Sequence, residues 1–132
     1  MQRYPGYPKA NLIQALTYYQ TNEIEKGIRS VKKEITLRNH PQTYLFLARM
    51  YEKTKDTTNE IQTLKKLIAI SLKSKNDESV TSSLSRLRIL LSKKELQELP
   101  LEDISKTFPK NNGIKNELLH FTQNINAPSY TD

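Results

Sequence analysis

The sequence predicts an all-α fold of antiparallel helix-turn-helix hairpins, and three observations carry the prediction: apolar residues recur at helical spacing, strand-like alternation is missing, and the junctions are short and carry capping residues. Ile24, Ile28, Val31 and Ile35 are spaced four, three and four apart, so they share one stripe of a helix while Glu25, Lys26, Arg29, Lys32 and Lys33 face away. Val80, Leu84, Leu87 and Leu91 repeat that spacing. Tyr44, Leu47, Ala48 and Tyr51 form another stripe, and Ile61, Leu64, Ile68 and Leu72 a further one. No stretch keeps the strict alternation of a half-buried strand, and the chain holds only three glycines.

The elements follow in order. A first helix is expected over residues 9–20 and a second over 23–38, with Asn22 and Glu25 at the spacing of a side-chain cap and a carboxylate near the positive end of the helix dipole. Pro41 suits the first turn of a third helix over 41–54, where its missing N–H costs nothing, and it also ends the preceding helix. A fourth helix is expected over 58–74, with Thr57 and Glu60 at the capping spacing, and a fifth over 77–92. Ser92 and Glu95 open a shorter helix over 94–107, and a last one covers 113–124. Residues 1–8, with prolines beside Tyr4 and Tyr7, read as an extended segment, 9–124 as one helical domain and 125–132 as a flexible tail.

The connections between the first four helices are two to four residues long, which makes neighbours antiparallel. The chain also resembles itself at an offset of 33 residues: Tyr18-Tyr19-Gln20-Thr21-Asn22 leads into Gly27-Ile28 as Tyr51-Glu52-Lys53-Thr54-Lys55 leads into Glu60-Ile61. Over residues 8–74 this pattern resembles the tetratricopeptide repeat family. Tyr44, Leu47, Ala48 and Tyr51 match the aromatic, leucine, small residue and tyrosine of that repeat's first helix; Ala15 and Tyr18 match two of these one repeat earlier, and Gly27 stands where the second helix needs a small residue. Glu60 departs from the pattern at the equivalent position, and the proline that usually follows the second helix is clear only at Pro41. The resemblance implies a right-handed α-solenoid of about three hairpins that receives a partner in a groove lined by first helices, with residues from Asn76 onward as a degenerate third hairpin or a cap.

Composition narrows the function. There is no cysteine, so a disulfide framework, a thiolate metal site and a thiol nucleophile are excluded. Mean hydropathy is -0.70, and no run approaches the length of a membrane span or a signal peptide, so a soluble, intracellular and cytoplasmic protein is expected. Residues 1–76 hold 14 Lys and Arg against 6 Asp and Glu, a balance of +8, whereas residues 77–132 balance at -1. Such asymmetry draws acidic proteins, nucleic acids or anionic surfaces toward the basic half, and it also serves solubility alone. His40 and His120 are the only histidines and lie in no metal-ligand spacing. With no glycine-rich phosphate loop and no nucleophile elbow, neither an enzyme nor a cofactor or metal is expected.

Three function classes fit: an adaptor that binds a peptide or helix of a partner protein, a basic nucleic-acid-binding domain, and a piece or subunit of a larger helical-repeat assembly. The adaptor is the leading expectation, because hairpin arrays present a groove. The candidate partner contacts are Asn11, Gln14 and Tyr18 on the first helix and Tyr44, Arg49 and Lys53 on the third. The competing surface is the doubled lysines of the second helices, Lys32, Lys33, Lys65 and Lys66, whose alternative role is the solvated face of an amphipathic helix. Tyr18, Tyr44, Phe46 and Tyr51 sit within apolar stripes and are expected to pack in the core with hydroxyls reaching its rim.

Overall fold

The computed structural model describes residues 10–126, and among them every regular element is a helix: α1 (Ala10–Gln20), α2 (Ile24–Leu37), α3 (Pro41–Lys53), α4 (Thr57–Ser74), α5 (Asp77–Leu90), α6 (Lys93–Gln97), α7 (Leu101–Thr107) and α8 (Asn112–Asn126). The extended segment expected at 1–8 and the tail from 127 lie outside the described residues, and α8 runs two residues past the expected end at 124. The chain divides into two compact units within α4, residues 1–66 and 67–132.

Backbone chemistry at the turns explains the short connections. After α1, Asn22 adopts a left-handed φ of 65°, its N–H donates to Tyr19 O at 3.2 Å, and Glu23 N–H donates to Tyr18 O at 2.7 Å. After α3, Lys55 adopts φ 60°, with matching bonds from Lys55 N–H to Glu52 O at 3.1 Å and from Asp56 N–H to Tyr51 O at 2.9 Å. Both are Schellman closures, which satisfy carbonyls that a helix end leaves open. They stand 33 residues apart, so the internal sequence offset corresponds to one repeated turn. Lys75, at φ 55°, ends α4 in the same way, with Asn76 N–H on Ser71 O at 2.9 Å.

These turns correct two expected caps. Asn22 does not start α2; it is the left-handed residue that ends α1, a role its short polar side chain tolerates, and Glu23 precedes α2 without a side-chain capping bond. Thr57 lies inside α4, and Asp56 caps it instead: Oδ1 accepts from Asn59 N–H at 3.3 Å and Oδ2 from the Asn59 side chain at 2.8 Å. The box at Ser92 and Glu95 forms as expected, with both reciprocal bonds present. The single helix expected over 94–107 is two, because the chain turns at Leu99-Pro100 and proline disfavours helical backbone before it.

In the N-terminal unit, Ala15 from α1, Ile24, Ile28 and Val31 from α2, and Leu47, Met50 and Tyr51 from α3 form one buried cluster flanked by Tyr19, Ile35 and Phe46. Gly27 lets the helices approach: a Cβ there would stand 2.9 Å from Met50 Cε and 3.3 Å from the Ala15 carbonyl oxygen. In the C-terminal unit α8 is the hub, packed against α5, α6 and α7, and Val80, Leu84, Leu87, Leu96, Ile104, Ile114 and Phe121 are buried. Arg88 Nε approaches Glu117 Oε1 to 3.7 Å, joining α5 to α8. No described helix is long and apolar enough to cross a membrane.

Candidate functional site

Two open hollows flank α1 in the N-terminal unit: of the predicted residues, Arg49 and Lys53 line one, and Gln14, Tyr18 and Lys33 line the other. The first, about 380 Å³, lies where α1 meets α3 and is lined by Tyr19, Arg49, Glu52 and Lys53. Arg49 and Lys53 are one helical turn apart and therefore project from the same side of α3. Lys53 Nζ sits 5.0 Å from the centre of the Tyr19 ring, within cation–π reach, and that ring tilts 60° against Phe46 at a centroid distance of 6.0 Å. The result is an aromatic floor with two cations and one carboxylate at its edge.

The second hollow, about 320 Å³, lies between α1 and α2 and is lined by Gln14, Tyr18, Lys26, Arg29, Ser30 and Lys33. Across it Ser30 Oγ, nearly buried, donates to Gln14 Oε1 at 3.1 Å and ties the two helices together. Lys26 Nζ donates to Glu23 Oε2 at 2.9 Å and stands 5.9 Å from the Tyr18 ring centre. The Glu23 carboxyl is held below the ordinary carboxylate range by that bond, by the bond from the Thr21 hydroxyl and by the Lys26 charge. Its hydrogen bond and charge in turn raise the Lys26 ammonium.

The remaining candidates are spent on the fold or lie elsewhere. Asn11 Nδ2 donates to the buried Glu34 at 3.3 Å, which joins α1 to the end of α2. Tyr44 is buried, and its hydroxyl donates to Asn39 Oδ1 at 2.8 Å. Burial pushes the Tyr44 phenol up from its ordinary value. Lys32 and Lys33 leave α2 in different directions, about 100° apart on a helix: Lys33 lines the second hollow, while Lys32 Nζ stands 5.9 Å from the Tyr51 ring centre. Lys65 and Lys66 are exposed on α4 and line neither hollow. His40 and His120 are both exposed, and no group of three or more His, Asp or Glu able to hold a metal ion occurs among the described residues.

Sequence reasoning missed Tyr19, Glu52, Lys26 and Arg29. A signal for two of them was present: Lys26, Arg29 and Lys33 are spaced three and four apart, so they form their own stripe beside the apolar one on α2. Tyr19 carries no such mark, because only the position of α3 turns its ring into the floor of a hollow. No family model, curated protein or solved structure matches the chain.

Proposed function

We propose that this protein is a non-catalytic binding module that receives a peptide or helix of a partner protein in the hollow where α1 meets α3. The observation that carries this reading is the convergence of Tyr19, Arg49 and Lys53 on one open surface, with the Phe46 ring tilted against the tyrosine. Aromatic residues and arginine are enriched where proteins bind one another, because they combine large contact area with directional polar groups. Ile13 and Leu16 of α1 add apolar surface, being 56% and 47% exposed. In the tetratricopeptide register α1 and α3 are the first helices of successive hairpins, the ones that line the groove in that family.

The test compares two charge-reversal pairs, Arg49→Glu with Lys53→Glu and Lys32→Glu with Lys65→Glu. Each is checked for unchanged helicity and then assayed against the partner recovered by pull-down and mass spectrometry. The first pair is expected to weaken binding at least about tenfold, the scale of a lost interface hot spot, and the second to leave it nearly unchanged. Loss confined to the second pair would place the function on the outer lysines instead.

A further inference from the structure

We infer that the hollow between α1 and α2 is a separate receptor site for a short acidic stretch of extended peptide. The inference does not depend on the α1–α3 reading. Lys26, Arg29 and Lys33 line one wall of this hollow, and Gln14 and Tyr18 line the other.

The three cations are not equivalent. Lys26 is already held by Glu23 at 2.9 Å. Arg29 and Lys33 are exposed, and among the described residues neither side chain takes part in an ion pair or a hydrogen bond. They stand one turn apart, roughly 6 Å, where like charges repel and an anion between them relieves the repulsion. Carboxylates on alternate residues of an extended peptide point the same way and lie roughly 7 Å apart, so a pair at i and i+2 reaches both cations together. The stripe from Lys26 to Lys33 is about 10 Å long, the length of about three extended residues.

The rest of the lining suits a peptide backbone. Gln14 Oε1 accepts from Ser30, so the amide of Gln14 keeps its N–H donors for a peptide carbonyl, and the Tyr18 ring offers a flat apolar contact. A nucleic-acid strand is the poorer match. Phosphate binding sums over many cations, whereas only two are uncommitted here, and the exposed Glu23 and Glu25 stand at the N-terminal end of the same helix.

The experiment measures fluorescence anisotropy of labelled hexaglutamate, and of a labelled oligothymidylate carrying six phosphates, against the full chain at low salt. Arg29→Glu with Lys33→Glu is compared with Lys65→Glu with Lys66→Glu and with Arg49→Glu with Lys53→Glu, all making the same charge change. If the first pair loses helicity, all three pairs are made with Gln in place of Glu, so that the charge change stays equal. Hexaglutamate is expected to bind, to shift the backbone amide signals of Gln14 and Ser30, and to weaken about tenfold or more in the Arg29 and Lys33 variant but under about threefold in the other two. Four results would overturn the inference: no hexaglutamate binding, equal loss in all three variants, greatest loss in the Arg49 and Lys53 variant, or tighter binding of the oligothymidylate with the same dependence on Arg29 and Lys33.

Discussion

Asn11 donates its side-chain amide to Glu34 Oε1 at 3.3 Å, while Arg38 holds the other oxygen of that carboxylate at 3.0 Å, so one buried acid fastens α1 to the end of α2. Glu34 is 1% exposed. Taking a carboxylate out of water is costly unless its oxygens are hydrogen-bonded, and here each oxygen accepts from one donor. The cost of breaking the arrangement therefore depends on which partner is removed. Arg38→Met leaves the buried charge with one neutral donor and is expected to cost about 3 kcal/mol, whereas Glu34→Gln removes the charge itself and is expected to cost about 1–2 kcal/mol. Urea unfolding midpoints would rank the two, and an Arg38→Met variant no less stable than Glu34→Gln would refute the ordering. Asn11→Ala is expected to lose about 1 kcal/mol of stability, so impaired partner binding in that variant must be read together with its unfolding curve.

Gly27 sets how closely α2 approaches its neighbours. Replacing glycine by alanine inside a helix gains about 1 kcal/mol from backbone entropy. The added Cβ meets Met50 Cε at 2.9 Å, the mobile end of a flexible chain, and the Ala15 carbonyl oxygen at 3.3 Å, which is backbone. The gain and the crowding nearly cancel, so Gly27→Ala is expected to change stability by under about 1 kcal/mol. Gly27→Val brings two further carbons toward the same atoms and is expected to cost about 3 kcal/mol. Thermal unfolding of both variants gives the comparison, and a Gly27→Val protein as stable as Gly27→Ala would mean that the helices separate freely at this point.

The same glycine shows how far the sequence is legible. Ala15, Tyr18 and Gly27 are picked out by the resemblance to the tetratricopeptide repeat, which implies a close helix contact there, and the structure brings Gly27 against Ala15 and Tyr18. The stripe Val80, Leu84, Leu87, Leu91 is legible because a helical period of 3.6 gathers it on one face, and it is buried throughout; of Ile24, Ile28, Val31 and Ile35 the first three are buried and Ile35 is half-buried at the edge of the cluster. Asn22 ends α1 rather than capping α2 because an asparagine before a helix suits two roles, a cap on the next helix or a left-handed end to the last one, and the choice depends on backbone φ, which no local pattern reveals. The candidate site was half legible. Arg49 and Lys53 reach the α1–α3 hollow as one face of α3, but Asn11 and Tyr44 are consumed by Glu34 and Asn39, partners whose placement is fixed by tertiary packing and by a loop.

The buried phenol of Tyr44 predicts how stability falls in alkali. Its hydroxyl donates to Asn39 Oδ1 at 2.8 Å, which pins the loop between α2 and α3, and burial raises its ionisation above the ordinary value of 10.0. In the unfolded chain the same tyrosine ionises near 10, so above that pH the unfolded state has released a proton that the folded state still holds. Stability from this group is therefore complete below about pH 10 and declines as pH rises, by at most about 1.4 kcal/mol per pH unit until the folded phenol also ionises. Tyr44→Phe removes both the hydrogen bond and the titration. It is expected to be about 1 kcal/mol less stable than the parent at pH 7, with the gap narrowing between pH 10 and 11. Every other ionisable group is common to both proteins and cancels in the difference. Urea unfolding of the pair at pH 7, 10 and 11 measures it directly. A gap that stays constant or widens in alkali would show that the Tyr44 phenol ionises as readily in the folded protein as in the unfolded chain, and that its burial imposes no electrostatic cost.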